Sequence, residues 1–212
     1  MFGKNDINDS TEKTVSLGTK ILKEVFDWVV VIVVAVAIAY LIRHFIFTMV
    51  SVDGDSMNNT LIHGDRLCVV KLNYKPENGD IIVFNPYGDS SHPYIKRIIA
   101  TEGQSIYVDS MNSAVYVDGK KLEEDYLGSD TVNGISFFVD KDGYPTNNIY
   151  DSYAVTASED KPYIVPEGYV FAMGDNRARS HDSRAIGPVH KSDILGKAVF
   201  RWYPFNKFTV FK

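Results

Sequence analysis

WVVVIVVAVAIAYLI, Trp28 to Ile42, is a run of fifteen uncharged, almost wholly apolar residues, and Val25, Phe26 and Phe45 to Phe47 carry the same character past both ends. As a helix, Val25 to Phe47 would reach roughly 35 Å at about 1.5 Å per residue, enough to cross a hydrocarbon core of about 30 Å. A core helix of a soluble protein keeps one polar face, and this segment has none. A cleaved secretory leader is the other reading, because Ala35 to Ala39 holds small residues in A-x-A spacing. The long tail before the run and the apolar YLIRHFIF after Ala39 favour an uncleaved anchor. Asp27 and Arg43 stand near the ends, where side chains reach headgroups. The expected organisation is a tail over 1–24, a transmembrane helix over 25–47 and an exported domain over 48–212.

The orientation comes from the lysines. Lys4, Lys13, Lys20 and Lys23 precede the span, whereas residues 48–65 contain no Lys or Arg and carry Asp53, Asp55 and Asp65. By the positive-inside rule the N-terminus stays in the cytoplasm and the rest lies outside.

Beyond the span, short stretches rich in Val, Ile and aromatic residues alternate with Gly, Asp, Asn and Pro: RLCVVK, GDIIVF, YIKRIIA, SIYV, AVYVDGK, ISFFVD, YVFAMGD and ILGKAVFRWY. This pattern predicts a mainly β fold, an antiparallel sheet domain with little helix. Residues from about 111 to 163 are richer in Asp, Asn, Ser and Gly and are expected to form an inserted, variable lobe. The chain has 212 residues, with 22 basic against 27 acidic side chains and a net charge of −5. Such a balance argues against nucleic acid as a partner. Cys68 is the only cysteine, so neither an internal disulfide nor a thiolate metal cluster is available.

VDGDSMNNTLIHGD, Val52 to Asp65, holds Ser56 directly after the span. A serine in a Gly/Asp/Asn loop reads as a turn residue unless some group takes its proton. The five histidines, His44, His63, His92, His181 and His190, lie in polar segments or at the membrane end. Lys96 is different, because it interrupts YIKRII and stands among Tyr94, Ile95, Ile98 and Ile99. Burial there would lower its pKa and let the amine accept a proton; on an alternating strand it would simply face solvent. A third stretch, FAMGDNRARSHDSRAIGPV (Phe171 to Val189), gathers Asp175, Arg177, Ser180, Asp182 and Arg184 into one loop, which alone reads equally as a salt-bridged surface turn.

Taken together, GDSM (Gly54 to Met57), YIKR (Tyr94 to Arg97) and GDNRARSHDSRAIG (Gly174 to Gly187) closely resemble, in order, the motifs of the bacterial type I signal peptidases. GDRLCVVK, GDIIVF and GKAVFRWYPF between and after them are similar to that family too. The resemblance implies a signal-peptidase-type antiparallel β-sheet catalytic domain and a serine endopeptidase with a Ser/Lys dyad working through an acyl-enzyme. Ser56 would be the nucleophile and Lys96 the general base. Ser180 would orient the lysine amine, and Asp182 and Arg184 would form a structural pair. Val52, Met57, Leu61, Tyr94 and Ile95 match positions lining shallow apolar pockets that admit small side chains, Ala foremost. The implied partners are secreted preproteins, bound as extended strands and cut after an A-x-A-type site, together with membrane lipid. Neither a cofactor nor a metal is implied. The implied location is the cell membrane, single-pass, with the catalytic domain outside.

Two positions depart from the family pattern. Asn59 stands where SMxPT has a proline, so the turn is expected to be looser. Gly54 stands where some members carry a hydroxyl that donates to the oxyanion, which leaves the Ser56 N–H to do so. Rival readings fit less well. A self-cleaving repressor-like protease would carry a DNA-binding module in place of the span. STEK (Ser10 to Lys13) and SEDK (Ser158 to Lys161) match the S-x-x-K of penicillin-binding enzymes, but no KTG follows. A catalytically decayed anchored β-domain that binds exported proteins is the non-enzyme alternative.

Overall fold

The computed structural model describes residues 17–71, 74–127, 132–148, 150 and 152–211. They fall into two units, one ending at Arg43 and one beginning at His44. The first is the helix α1 (Leu17–Phe45), which starts eight residues before the apolar run because Lys20, Lys23 and Glu24 are all good helix formers. Its stretch Ile21–Ile42 has a mean hydropathy of 2.7 and none of it is buried. This is the one helix among the described residues that is long and apolar enough to cross a membrane.

The second unit is mainly β. Its strands are β1 (Phe47–Ser51), β2 (Arg66–Val70), β3 (Ile81–Phe84), β4 (Tyr94–Thr101), β5 (Ser105–Asp109), β6 (Ala114–Val117), β7 (Lys120–Lys121), β8 (Ser136–Val139), β9 (Tyr153–Thr156), β10 (Tyr163–Ile164), β11 (Tyr169–Met173), β12 (Val189–His190), β13 (Ile194–Tyr203) and β14 (Thr209–Val210). One short helix, α2 (Ser183–Ile186), lies between β11 and β12. The large sheet runs β1-β2-β13-β3-β4-β11-β12, with β14 also on β13, and every pairing in it is antiparallel. A second sheet runs β10-β5-β6-β7, and β8 pairs with β9.

The stretches read as strands in the sequence are strands here. β1, β9, β10, β12 and β14 are not among those stretches; β10, β12 and β14 have only two residues each, too few to display a pattern. Phe47 belongs to β1 and not to a helix, paired with Val70 across the strand.

All four residues of β3 are buried, as expected of a strand covered on both faces. On one face Leu67, Val69, Ile81, Val83, Ile95 and Ala198 pack against Val52, Met57 and Leu61 from the β1–β2 loop. On the other, Ile82, Phe84, Ile98, Val170 and Ala172 pack against Ile186 and Val189. The second sheet has no separate core. Its Ile106, Val108, Val115 and Val117 share one cluster with Ile99, Ala100, Phe171 and Met173 of the large sheet. Because β4 and β11 belong to these cores, the residues that follow or interrupt them are held rigidly.

Candidate active site

Ser56 sits in the loop from β1 to β2. That loop is closed at its base by Val52 N–H to Asp65 O (2.8 Å) and Gly64 N–H to Val52 O (3.0 Å). A turn of helix-like bonds, Leu61 N–H to Met57 O among them, sets the backbone just after the serine. Burial of Val52 (4% exposed), Met57 (2%) and Leu61 (0%) ties this loop to the core, so the serine between them has little freedom.

Lys96 lies in the middle of β4, opposite Ile82 of β3 and on the same face as Tyr94 and Ile98. It is only 4% exposed. Its Nζ donates to Ser56 Oγ at 2.8 Å and stands 5.0 Å from the centre of the Tyr94 ring. Burial pushes the lysine down to about 8; Arg184 adds to the fall, while Asp182 and Asp175 pull the other way. Of the two readings of Lys96 left open by the sequence, the buried one holds. No histidine among the described side chains is hydrogen-bonded to Ser56: His92 bonds to Ser91, and His63 Nδ1 accepts from Gly54 N–H.

The loop after β11 backs the pair. Asn176 N–H donates to Ser56 O (3.0 Å) and its side-chain amide to Asp55 O (2.9 Å). Gly174 lies so close that an added Cβ would come within 2.2 Å of Ser180 Oγ and 2.4 Å of Ser56 O, which is why no other residue fits there. Asp175 is fully buried, takes two bonds from the Arg97 guanidinium and accepts from Thr60 Oγ1. Asp182 and Arg184 form a bidentate pair (2.9 Å each), with Gly174 N–H on the same carboxylate and Arg184 Nη2 on Arg177 O. Burial pushes the Asp182 carboxyl up, but Arg184, Gly174 and the Ser180 hydroxyl outweigh it and hold the group below the ordinary carboxylate range.

Ser180 is beside these groups, against Gly174. Its Oγ is buried and makes no hydrogen bond of full geometry, to Lys96 or to any other described residue; its nearest bias is toward Asp182. A groove of about 450 Å³ opens over the pair, walled by Val52, Met57, Tyr94 and Ile95, with Ser56 and Lys96 on its floor and Asp53, Asp55, Arg179 and His181 at its polar edge. Leu61 does not reach this groove. Its side chain packs wholly inside the core, against the expectation that it lines a pocket, because the turn after Met57 directs it inward.

Both departures have a backbone explanation. Asn59 is at φ 84, a left-handed conformation that asparagine tolerates and proline cannot adopt. A proline there would break this turn, and the turn is not loose but pinned by Thr60 to Asp175. Gly54 is at φ 92, where a hydroxyl-bearing residue would be strained. Reading of the sequence also missed Arg97 as the partner of Asp175; the only local signal was its place beside Lys96.

Known proteins resemble this chain over most of its length. The profile of signal peptidase, peptidase S26, matches residues 25–203. Signal peptidase IB of Staphylococcus aureus (strain COL) is 33% identical over 189 residues, 88% of this chain and 93% of that protein. Signal peptidase I S of Bacillus subtilis (strain 168) is 39% identical over 189 residues, 87% and 92%. A solved signal peptidase I from Enterococcus faecalis V583 is 32% identical, covering 58% of this chain and 97% of that one with a TM-score of 0.40. With a match that runs from the apolar helix to the end of β13, and with relatives aligned over nearly their whole length, the chain belongs to the signal peptidase family, peptidase S26.

Proposed function

We propose that this peptidase removes N-terminal signal peptides from exported precursors with Ser56 as nucleophile and Lys96 as general base. The observation that carries the reading is the 2.8 Å contact between Lys96 Nζ and Ser56 Oγ, made by an amine that is almost fully buried and titrates near 8. A neutral amine at that distance takes the serine proton as Oγ attacks the scissile carbonyl carbon. The resulting oxyanion meets the Ser56 N–H, which has no protein acceptor among the described residues. Lys96 then passes its proton to the leaving amine, the C–N bond breaks, and Ser56 is left as an ester. Water, deprotonated by the same amine, hydrolyses that ester and releases the signal peptide.

The groove supports a preference for small residues. Val52, Met57 and Ile95 are nearly buried at the wall of the groove, and we assign them the apolar pockets for small side chains that the family resemblance implies. An extended precursor lying along this groove places an alanine at the scissile position. We assign the orienting of the lysine amine to Ser180 on the family resemblance; its carbonyl accepts from Arg184 Nη2 at 3.4 Å. The family and the apolar α1 point to attachment at a membrane. We place the N-terminus in the cytoplasm and the β domain outside, on the lysine distribution around the span.

The test is cleavage of one purified signal-peptide-bearing precursor by the detergent-solubilised chain. Ser56→Ala and Lys96→Ala are each expected to lower the rate at least about a hundredfold while circular dichroism and melting stay native, because nucleophile and base act as one unit. Residual activity above a few per cent in either variant would show that the dyad is wrongly assigned.

A further inference from the structure

Two side chains far from the groove reach the support behind the dyad. They lie in the segment between β7 and β8, in the part of the chain that the sequence marks as variable. The Glu124 side chain is 7% exposed and forms a two-pronged ion pair with Arg177, whose side chain is wholly inaccessible. The remaining donor of the same guanidinium, Nε, holds Gly174 O at 3.0 Å. Tyr126 donates its hydroxyl to Glu124 (2.7 Å) and lays its ring under the Arg97 guanidinium, 4.0 Å away.

Each arginine has a second task at the site. Arg97 follows Lys96 in β4 and grips Asp175; Arg177 fixes Gly174, whose Cα backs Ser56 O and Ser180, and its carbonyl receives Arg184. We propose that Glu124 and Tyr126 are positioning residues of this peptidase, holding Arg97 and Arg177 from behind and thereby setting the separation of Ser56 and Lys96. The proposal rests on the dyad reading given above.

The electrostatics make the dependence strong. A guanidinium cannot shed its proton, so a buried Arg177 without Glu124 is an uncompensated charge that must either move or draw in water. Either outcome releases Gly174 O and loosens the loop over Lys96. The polar groups facing that amine are the Ser56 hydroxyl, Asp175, Asp182 and Arg184 from the two loops, and the Tyr94 ring on its own strand. Since burial is the main cause of its low pKa, water admitted by a loosened loop would return the lysine toward its ordinary value.

The experiment measures kcat, KM and the pH dependence of kcat/KM on a soluble peptide spanning a cleavage site, using the full chain in detergent. Glu124→Gln, which keeps shape but removes charge, is expected to lower kcat about tenfold, leave KM within about twofold and move the acid limb to higher pH. Tyr126→Leu, which loses both ring and hydroxyl, should behave alike; Tyr126→Phe, which keeps the ring under Arg97, should lose only about two- to threefold. The Tyr126 pair carries the test if Glu124→Gln does not fold. A fall in melting temperature with kcat and the acid limb unchanged would overturn the positioning role, as would wild-type kinetics. Lys96→Ala measured alongside separates the two claims: activity surviving there overturns the dyad, whereas an inactive Lys96→Ala beside an unaltered Glu124→Gln overturns positioning alone.

Discussion

Lys96 is a buried lysine whose proposed role as general base goes with a cost to stability. Its pKa is lowered from 10.5 to about 8 by burial, so between those values the folded protein binds fewer protons than the unfolded chain. By linkage, stability rises as pH climbs from about 8 to 10.5 and is lowest below 8, where the buried ammonium costs about 3 kcal/mol. Under the proposed dyad, activity follows the same group in the same direction, because only the free amine would accept the serine proton. The expected kcat/KM profile therefore climbs tenfold per pH unit below about 8 and levels off above it. Lys96→Met should be inactive at every pH yet melt higher than wild type at pH 7, since methionine fills the space without the charge. A variant that melts lower would mean that the lysine is solvated in the native protein.

At the scale of elements, the proposed catalytic arrangement is a matter of two loops and one strand. β4 brings Lys96 from one direction, the β1–β2 loop brings Ser56 from another, and the loop after β11 is wedged behind both. Gly174 is the point where the last two meet, with its missing Cβ occupied by Ser180 Oγ and Ser56 O. Gly174→Ala must push the nucleophile's backbone away by a large fraction of an ångström, and such a displacement is expected to lower kcat about a hundredfold. Binding should suffer less, because Val52, Met57, Tyr94 and Ile95 line the groove and Gly174 is not among its lining residues. The measurement is the KM-against-kcat split on the same peptide; a large KM change with kcat preserved would contradict this account. Nothing local in MGDN marks the glycine as indispensable, for the contacts that exclude a side chain come from residues elsewhere in the chain.

For the whole molecule, the proposed anchor and the proposed dyad lie in separate units. Ser56, Lys96, Ser180 and their supports all lie in the unit beginning at His44, and its first strand starts at Phe47. Lys71 N–H also bonds to Ile46 O, so a chain beginning at Ile46 keeps β1 intact. Such a chain should be soluble without detergent and cleave a short peptide within about threefold of the full-length rate. It should process a membrane-inserted precursor far more slowly, because the anchor's effective concentration is lost. Orientation is checked in intact cells: protease added outside should digest beyond about Thr48 and spare a tag placed before Lys23. Digestion of that tag would reverse the topology.

The sequence alone determined whatever depends on near neighbours. The long apolar helix was readable because its residues are apolar on every side, and β3, β4, β11 and β13 because strands rich in Val, Ile and aromatic residues are bounded by turn residues. Ser56 and Lys96 were readable as candidates from their unusual settings, and the order of the three motifs joined them. Only the tertiary structure decided how they meet and what holds them. Forty residues separate Ser56 from Lys96, 78 separate Arg97 from Asp175 and 53 separate Glu124 from Arg177. Partners so distant leave no periodicity for a sequence to display. The same reason explains Leu61, apolar enough for a pocket or a core, and Asn59, whose left-handed backbone is a property of the closed loop. Burial and backbone angle are outcomes of the whole packing, and no residue states its own.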